Sequence, residues 1–202
     1  MQKQNNLAIF YCGTNGAGKT TLREFNKDAV QIVIDSDHIA MQLSPENPRL
    51  VDSQAGRKAI ELFKFAIQQQ VSFSMESTLS GNSILQRIKK AKEKGFYVRL
   101  NYIGVNSVSI NIDRVNARVA NGGHFIDETA IRHRYDISLQ NLTKILPFCD
   151  EALIYDNSGE MPEMMLYIEN NKIILIKDKL INWCQELVNK LIGLDFLSND
   201  EI

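Results

Sequence analysis

Residues 13–20 read G-T-N-G-A-G-K-T, which fits the pattern G-x-x-x-x-G-K-[ST], and they follow an apolar stretch at 7–12. In this pattern the glycines let backbone N–H groups surround phosphates, the lysine reaches the β and γ oxygens, and the last hydroxyl can bind Mg²⁺. The helix-like stretch that follows would begin with its positive dipole end at the anion. The sequence therefore predicts a nucleotide-binding loop; the alternative is a glycine-rich turn that precedes Lys and Thr by chance. The residues expected at the nucleotide are Gly13, Thr14, Asn15, Gly16, Ala17, Gly18, Lys19, Thr20 and Thr21.

Two carboxylates lie two residues apart where the second predicted strand, 31–35, ends. Ligands of open α/β sheets bind at the carboxyl ends of the strands, so Asp35 and Asp37 are candidates for contact with a substrate. A carboxylate beside a substrate hydroxyl can act as a general base in phosphoryl transfer, and we assign this role to Asp37. The alternative is that Ser36 or Asp37 is the N-cap of the next helix.

A third carboxylate, Glu76, ends the third predicted strand at 71–76. There it could hold hydrated Mg²⁺ together with Thr20, or it could contact the acceptor substrate. Ser77 and Thr78 add hydroxyls at the same place. Because burying Glu76 without a cation or a donor would be unfavourable by several kcal/mol, we expect a bound partner. The alternative is a cluster that caps the following helix.

An arginine-bearing region spans about 109–146. Arg114 and Arg118 share one helix face at four-residue spacing, the Gly122-Gly123 pair breaks the chain, and a second helix carries Arg134. This pattern predicts a hinged lid whose arginines close over the γ-phosphate. Taken singly, each arginine is better explained as a solvated surface residue or as a partner for Asp113, Asp127 or Glu128.

Two further side chains have open assignments. His124 could contact substrate or cap the Gly-Gly turn. Asn157, in the stretch D-N-S-G that follows the fifth predicted strand, could contact the nucleotide base or belong to an ordinary turn.

Short apolar runs alternate with helix-like segments, which is typical of a parallel sheet covered by helices. The expected strands are 7–12, 31–35, 71–76, 97–104 and 152–155, and the longer expected helices lie near 50–70, 83–94, 109–120 and 128–146. A hairpin turning at Asn170-Asn171 and a helix with Leu180, Trp183, Leu187 and Leu191 follow. The sequence predicts a three-layer α/β/α phosphate-loop fold with a mainly parallel five-stranded sheet, plus a C-terminal β-hairpin and helix.

Length and composition narrow the class of protein. At 202 residues with 44% hydrophobic content, we expect one domain over 1–202. The 23 basic and 24 acidic residues are interspersed, so we expect neither a nucleic acid nor a membrane as partner. Cys12, Cys149 and Cys184 form neither a disulfide framework nor a zinc motif, and no secretory signal is evident, which indicates the cytoplasm.

The motifs taken together resemble the zeta toxin group of phosphate-loop kinases, in particular its bacterial branch of predicted ATPases. The resemblance lies in G-T-N-G-A-G-K-T-T at 13–21, I-D-S-D at 34–37, E-S-T-L-S-G at 76–81, R-V-A-N-G-G-H at 118–124, I-R-H-R-Y at 131–135 and Y-D-N-S at 155–158. It implies a nucleoside-kinase-like fold and Mg²⁺-ATP-dependent phosphorylation of a small substrate hydroxyl, which in zeta toxins is the 3′-hydroxyl of UDP-N-acetylglucosamine. An antitoxin protein is the partner that it implies.

The resemblance also assigns roles by matching motif. Lys19 would hold the phosphates, Asp37 would be the base and Glu76 would contact acceptor or metal. Arg118 and Arg134 would stabilise the transferring group.

Three functions are compatible with these residues. The first is a kinase for a small hydroxyl-bearing acceptor. The second is an ATP-binding switch or slow ATPase that a partner protein reads. The third is a polynucleotide 5′-kinase, which the lack of a basic, aromatic-bearing surface disfavours.

Overall fold

A seven-stranded sheet with helices on both faces forms the centre of the computed structural model, which describes residues 6–123 and 125–196. The strands are β1 Leu7–Cys12, β2 Ile32–Ile34, β3 Phe73–Ser77, β4 Tyr97–Gly104, β5 Glu151–Asp156, β6 Glu163–Glu169 and β7 Lys172–Ile176. The helices are α1 Lys19–Asn26, α2 Ser36–Leu43, α3 Asp52–Gln69, α4 Asn82–Glu93, α5 Val108–Ala120, α6 Glu128–Ile145 and α7 Asn182–Ile192. Short 3₁₀ turns at Pro48–Val51 and Leu146–Phe148 precede α3 and follow α6.

The strand order is β2-β3-β1-β4-β5-β6-β7. Strands β1 to β5 are parallel, as predicted, whereas β6 pairs antiparallel with β5 and β7 pairs antiparallel with β6. The prediction of a five-stranded sheet with a separate hairpin was therefore wrong in one respect, because the hairpin extends the same sheet to seven strands. The reason is that Leu166 and Ile168 of β6 are buried in the main core beside β5.

Strand β1 is apolar on both faces because helices cover the sheet on both sides. Phe10 packs edge to face on Phe73, with ring centroids 5.8 Å apart, in the larger core. Ile9 and Tyr11 point to the opposite side, where they pack with Leu22 of α1. This double burial fixes β1, and with it the position of the loop that follows.

The segment predicted as one helix near 50–70 begins with the turn Pro48–Val51 and continues as α3. Helices α5 and α6 lie where the arginine-bearing region was expected, and they share a small apolar cluster of Ile112, Val115, Ile126 and Ile131. This cluster is separate from the two cores that flank the sheet, so α5 and α6 pack on each other through their own contacts.

None of the helices within the described ranges is long and apolar enough to cross a membrane.

Candidate active site

The loop between β1 and α1 has the backbone that its glycines predict. Gly13 has φ of 146°, and a Cβ there would collide with the carbonyl oxygen of Ile103 in β4. Since only glycine avoids this clash, the loop can lie against the end of the sheet. Leu22 N donates to Gly18 O at 3.0 Å, so helix α1 begins directly at the end of the loop.

Three side chains from later in the chain hold this loop. Asn111 of α5 donates from Nδ2 to Asn15 O at 2.8 Å, and Arg134 of α6 donates from Nη1 to Asn15 Oδ1 at 2.8 Å. Asn157, after β5, donates from Nδ2 to Ala17 O at 2.8 Å. The Asn157 amide thus contacts the loop backbone, in addition to lining the cleft described below.

The ammonium group of Lys19 donates to Thr14 O at 3.1 Å. Burial lowers the pKa of Lys19, and the carboxylates of Glu76 and Asp37 oppose this shift. Because a phosphate is an anion, its binding beside Lys19 would favour the charged form of the ammonium group.

Glu76, at the end of β3, meets helix α1. Its Oε2 accepts from Thr20 Oγ1 at 3.0 Å and its Oε1 accepts from Arg23 Nε at 2.8 Å. Arg23 Nη2 also lies 3.9 Å from Asp35 Oδ2. Burial raises the pKa of Glu76 and Asp35 adds to the rise, whereas Lys19 and Arg23 oppose it.

Sequence reasoning missed Arg23. Its spacing of four residues from Lys19 on α1, which places both on one helix face, is the signal that could have identified it.

Asp35 is the N-cap of α2. Its Oδ1 accepts from the backbone N–H groups of Asp37 at 3.0 Å and His38 at 3.2 Å. The alternative that Ser36 or Asp37 is the cap was therefore wrong. Asp37 lies in the first turn of α2 and lines the cleft, and its carboxylate makes no hydrogen bond with another described residue.

The cleft above the sheet has a volume of about 1170 Å³. It brings together most of the residues that the sequence singled out, from the loop, the ends of β2, β3 and β5, and helices α5 and α6. These are Asn15, Gly16, Gly18, Lys19, Thr20, Thr21, Asp37, Glu76, Ser77, Thr78, Arg118, Arg134 and Asn157. Thr14 and Ala17 are buried and do not line the cleft, and His124 lies outside the described residues.

The hydroxyls after β3 have local partners as well. Ser77 Oγ accepts from Leu79 N at 3.1 Å, and Thr78 Oγ1 lies 2.8 Å from Ser80 Oγ. Both residues line the cleft, so a ligand would meet hydroxyls that the turn after β3 already orients.

Two cleft arginines were not anticipated. Arg87 of α4 is half-buried; its guanidinium contacts Met75 Sδ at 3.8 Å and lies 5.9 Å from the ring centroid of Phe63. Burial lowers the pKa of Arg87. Arg49 donates to Phe125 O, and its guanidinium lies 5.6 Å from the centroid of that ring. Neither contact is visible in the sequence, because each joins segments that are far apart in the chain.

Oxygen ligands for Mg²⁺ are present, since Thr20 Oγ1 and Glu76 Oε2 lie 3.0 Å apart beside the phosphate loop. Among the residues that the structure describes, no group of three or more His, Cys, Asp and Glu side chains could hold a metal ion by itself. These residues therefore fit an ion whose remaining ligands come from phosphate oxygens and water.

The fold matches those of several solved structures. The chain aligns with the AvrRxo1-ORF1:-ORF2 structure with ATP at a TM-score of 0.70 and 14% identity, over 100% of this chain and 67% of that chain. It aligns with a structure of the PezAT chromosomal toxin-antitoxin system of Streptococcus pneumoniae at a TM-score of 0.59 and 17% identity, over 96% and 86%. At these identities the likeness establishes a shared fold.

Sequence comparison establishes the family. An uncharacterized protein of Haemophilus influenzae is 71% identical over 130 residues, which cover 64% of this chain and 93% of that protein. The family model described as zeta toxin matches residues 1–171. The chain belongs to the zeta toxin family.

Proposed function

We propose that the protein is a kinase that transfers the γ-phosphate of ATP to a hydroxyl of a small acceptor. The observation that carries the proposal is that Lys19, the Thr20–Glu76 pair and the Asp37 carboxylate line one cleft. A phosphate loop alone would serve any nucleotide-binding protein. The Asp37 carboxylate beside the loop makes no hydrogen bond with a described residue, which suits a role in binding an acceptor hydroxyl.

On the donor side, the loop backbone and Lys19 bind the phosphates of ATP. Thr20 and Glu76 would hold Mg²⁺, which when bound neutralises charge on the β- and γ-phosphates. Arg23 keeps the Glu76 carboxylate oriented toward Thr20 through its 2.8 Å hydrogen bond.

On the acceptor side, Asp37 accepts the proton of the attacking hydroxyl. The acceptor oxygen forms a bond to the γ-phosphorus as the bond from that phosphorus to the β,γ-bridging oxygen breaks, and ADP leaves with that oxygen. Arg118 and Arg134 stabilise the charge of the transferring group, and the region 109–146 acts as a lid that brings them there.

The acceptor we favour is a nucleotide sugar such as UDP-N-acetylglucosamine. Arg87 and Arg49 line the end of the cleft near β2, β3 and α3, and neither forms an ion pair with a described carboxylate. The half-buried Arg87 guanidinium contacts a thioether and a ring among the described residues, which suits an anionic group on the acceptor, and Ser77 and Thr78 suit its hydroxyls. Family membership points to the same class.

A protein partner is the second element of the proposal. The AvrRxo1 structure contains ORF1 with ORF2, and PezAT is a toxin-antitoxin system. These neighbours support an antitoxin-like partner for this chain, and with it the alternative of a partner-regulated ATP switch or slow ATPase. We place the kinase, and the alternative switch or ATPase, in the cytoplasm.

The test is to incubate the protein with Mg²⁺-ATP and a panel of nucleotide sugars, nucleosides and simple sugars, with K19A as control. ADP release and new products are followed by mass spectrometry. A phosphorylated product that K19A does not form establishes the kinase and its acceptor class. Slow ADP release without product from any acceptor would contradict the kinase proposal and favour the switch.

A further inference from the structure

Helix α7 reaches the end of strand β5 through a polar contact. The indole of Trp183 is buried in the larger core, and its Nε1 donates to Asp156 Oδ1 at 3.0 Å. Helix α7 lies beyond residues 1–171, the part of the chain that matches the zeta toxin family. The contact therefore joins an element outside the matched part to the last parallel strand, close to the phosphate loop.

Asp156, the last residue of β5, is itself buried and organises the turn that follows. Its Oδ1 also accepts from Ser158 Oγ at 2.8 Å, and its Oδ2 accepts from Ser158 N at 3.1 Å. A buried carboxylate is unfavourable unless hydrogen-bond donors surround it. The indole N–H of Trp183 thus helps to keep Asp156 in the position from which it fixes the turn.

Asn157 lies in this turn and connects it to the phosphate loop. Its backbone N donates to Gly104 O at 2.9 Å, and its side-chain Nδ2 donates to Ala17 O at 2.8 Å. A Cβ at Gly104 would lie 2.6 Å from Trp183 Cζ2, so the indole packs directly against the residue that accepts from Asn157. Trp183 is therefore linked to Asn157 on two sides, through Asp156 and through Gly104.

Trp183 does not line the cleft, so any effect that it has on a ligand must pass through other residues. We propose that Trp183 is a positioning residue for the phosphate loop. Its N–H holds Asp156, the turn after β5 then holds Asn157, and Asn157 holds the loop backbone at Ala17. Helix α7 is thereby part of the nucleotide-binding apparatus. This inference rests on the proposed function, because it presumes that the loop binds the phosphates of a nucleotide.

The test is the affinity for Mg²⁺-ATP of W183F, which keeps an aromatic ring in the core but removes the N–H donor. The apparent affinity of a site scales with the fraction of molecules that hold the competent arrangement. Loss of one hydrogen bond changes such a fraction by roughly three- to tenfold, so ATP affinity measured by calorimetry should fall by about that factor.

V188A is the matched control, because Val188 is buried in the same core on the same helix. It removes packing from α7 without removing the donor to Asp156. V188A should lower the stability to urea but leave ATP affinity unchanged. An equal loss of ATP affinity in V188A and W183F, or no loss in W183F, would overturn the inference.

A double-mutant cycle separates positioning from general damage to the core. N157A removes the side chain that reaches Ala17, and it should weaken ATP binding by itself. Because Trp183 acts through Asn157, W183F/N157A should bind ATP no more weakly than N157A. Additive losses would show that Trp183 acts by another route and would overturn the inference.

A further measurement leaves Trp183 unchanged and so does not depend on the folding of W183F. Trp183 is the only tryptophan of the chain, so its indole N–H gives a single resonance in ¹⁵N-labelled protein. Saturation with Mg²⁺-ADP should shift this resonance in the wild type, and the shift should be smaller in N157A. An indole resonance that stays in place in the saturated wild type would overturn the inference.

The two proposals fail separately in this design. Wild-type protein that binds ATP but phosphorylates no acceptor contradicts the kinase and leaves the role of Trp183 standing. Wild-type protein that binds neither ATP nor ADP overturns both.

Discussion

The hydroxyl of Thr20 donates a 3.0 Å hydrogen bond to the carboxylate of Glu76, which lies 56 residues later in the chain. The bond joins the first turn of α1 to the end of β3, and these are neighbours because β3 pairs with β1 in the sheet. It places two oxygen ligands of the kind that Mg²⁺ prefers next to the phosphate loop.

E76Q tests this arrangement directly. Glutamine keeps the shape but removes the charge, so ATP affinity in the presence of Mg²⁺ should fall by roughly tenfold, as is usual when one partner of a metal site is lost. In EDTA, ATP affinity should be unchanged or higher, because a negative charge near the phosphates is gone. Calorimetry in both buffers measures this difference. E93Q, at an exposed residue 3.6 Å from Lys90, is the control. Equal losses in both buffers would argue against a metal role for Glu76.

Arg23 is expected to stabilise the fold through its two carboxylate neighbours. The Arg23 and Glu76 side chains are 17% and 8% exposed, so R23Q removes the guanidinium that bonds Glu76 and lies 3.9 Å from Asp35. We expect a loss of about 1–3 kcal/mol in the free energy of unfolding, measured by urea denaturation. The double variant R23Q/E76Q should regain part of that loss, whereas additive losses would show that the pair does not interact.

An exposed ion pair provides the contrast. Lys58 and Glu61 on α3 are 3.7 Å apart and largely exposed, so K58Q should change the free energy of unfolding by less than about 1 kcal/mol.

D37N should abolish transfer while leaving ATP binding intact. We assign the general base to Asp37, and loss of a general base lowers kcat by about 10²- to 10⁴-fold. Steady-state kinetics with the identified acceptor measure kcat, and calorimetry measures ATP affinity. D136N, at an exposed position on α6, is the control. Unchanged turnover in D37N would remove Asp37 from the mechanism.

Gly123 is expected to control Arg118. A Cβ at Gly123 would lie 2.5 Å from Arg118 Cγ and 2.8 Å from Arg118 O, so G123A must displace that side chain or its helix end. We expect a lower kcat with little change in ATP affinity, because Arg118 is assigned to the transferring group. A Cβ at Gly122 would have no other atom within 4 Å, so G122A would affect the backbone without displacing the Arg118 side chain. If G123A keeps full kcat, the position of Arg118 does not matter for transfer.

The three thiols should be unreactive in the native protein. Cys12, Cys149 and Cys184 are buried, and burial raises the pKa of each, to about 12 for Cys12. Since the thiolate is the nucleophile and each thiol stays protonated below its pKa, Ellman's reagent at pH 8 should label none of them. All three should react after denaturation. Rapid labelling of native protein would show that the core opens around them.

The sequence predicted those features of the fold whose pattern lies within a short segment of the chain. The phosphate loop, the five parallel strands and the approximate helix ranges each have a signal within a few neighbouring residues, and the structure has them where expected. The hairpin at Asn170-Asn171 was also visible, since both residues have positive φ, of 49° and 61°.

The site features that the sequence did not reveal depend on contacts between segments that are distant in the chain. Arg87 lines the cleft and Arg49 contacts Phe125, and no spacing rule links either arginine to the residues around it. Arg23 shares a helix face with Lys19, but its bond to Glu76 joins segments that are 53 residues apart. The alternative that the cap of α2 is Ser36 or Asp37 named the wrong residue, because Asp35, Ser36 and Asp37 are all good capping residues and only the backbone of the turn selects Asp35.

Asn15 accepts from α5 through its carbonyl and from α6 through its side chain. A movement of the α5–α6 pair away from the sheet therefore breaks two bonds to the phosphate loop at once. If a nucleotide and a protein partner each bind more tightly to one position of the α5–α6 pair, their affinities are linked thermodynamically. By reciprocity, each ligand must change the binding of the other by the same factor.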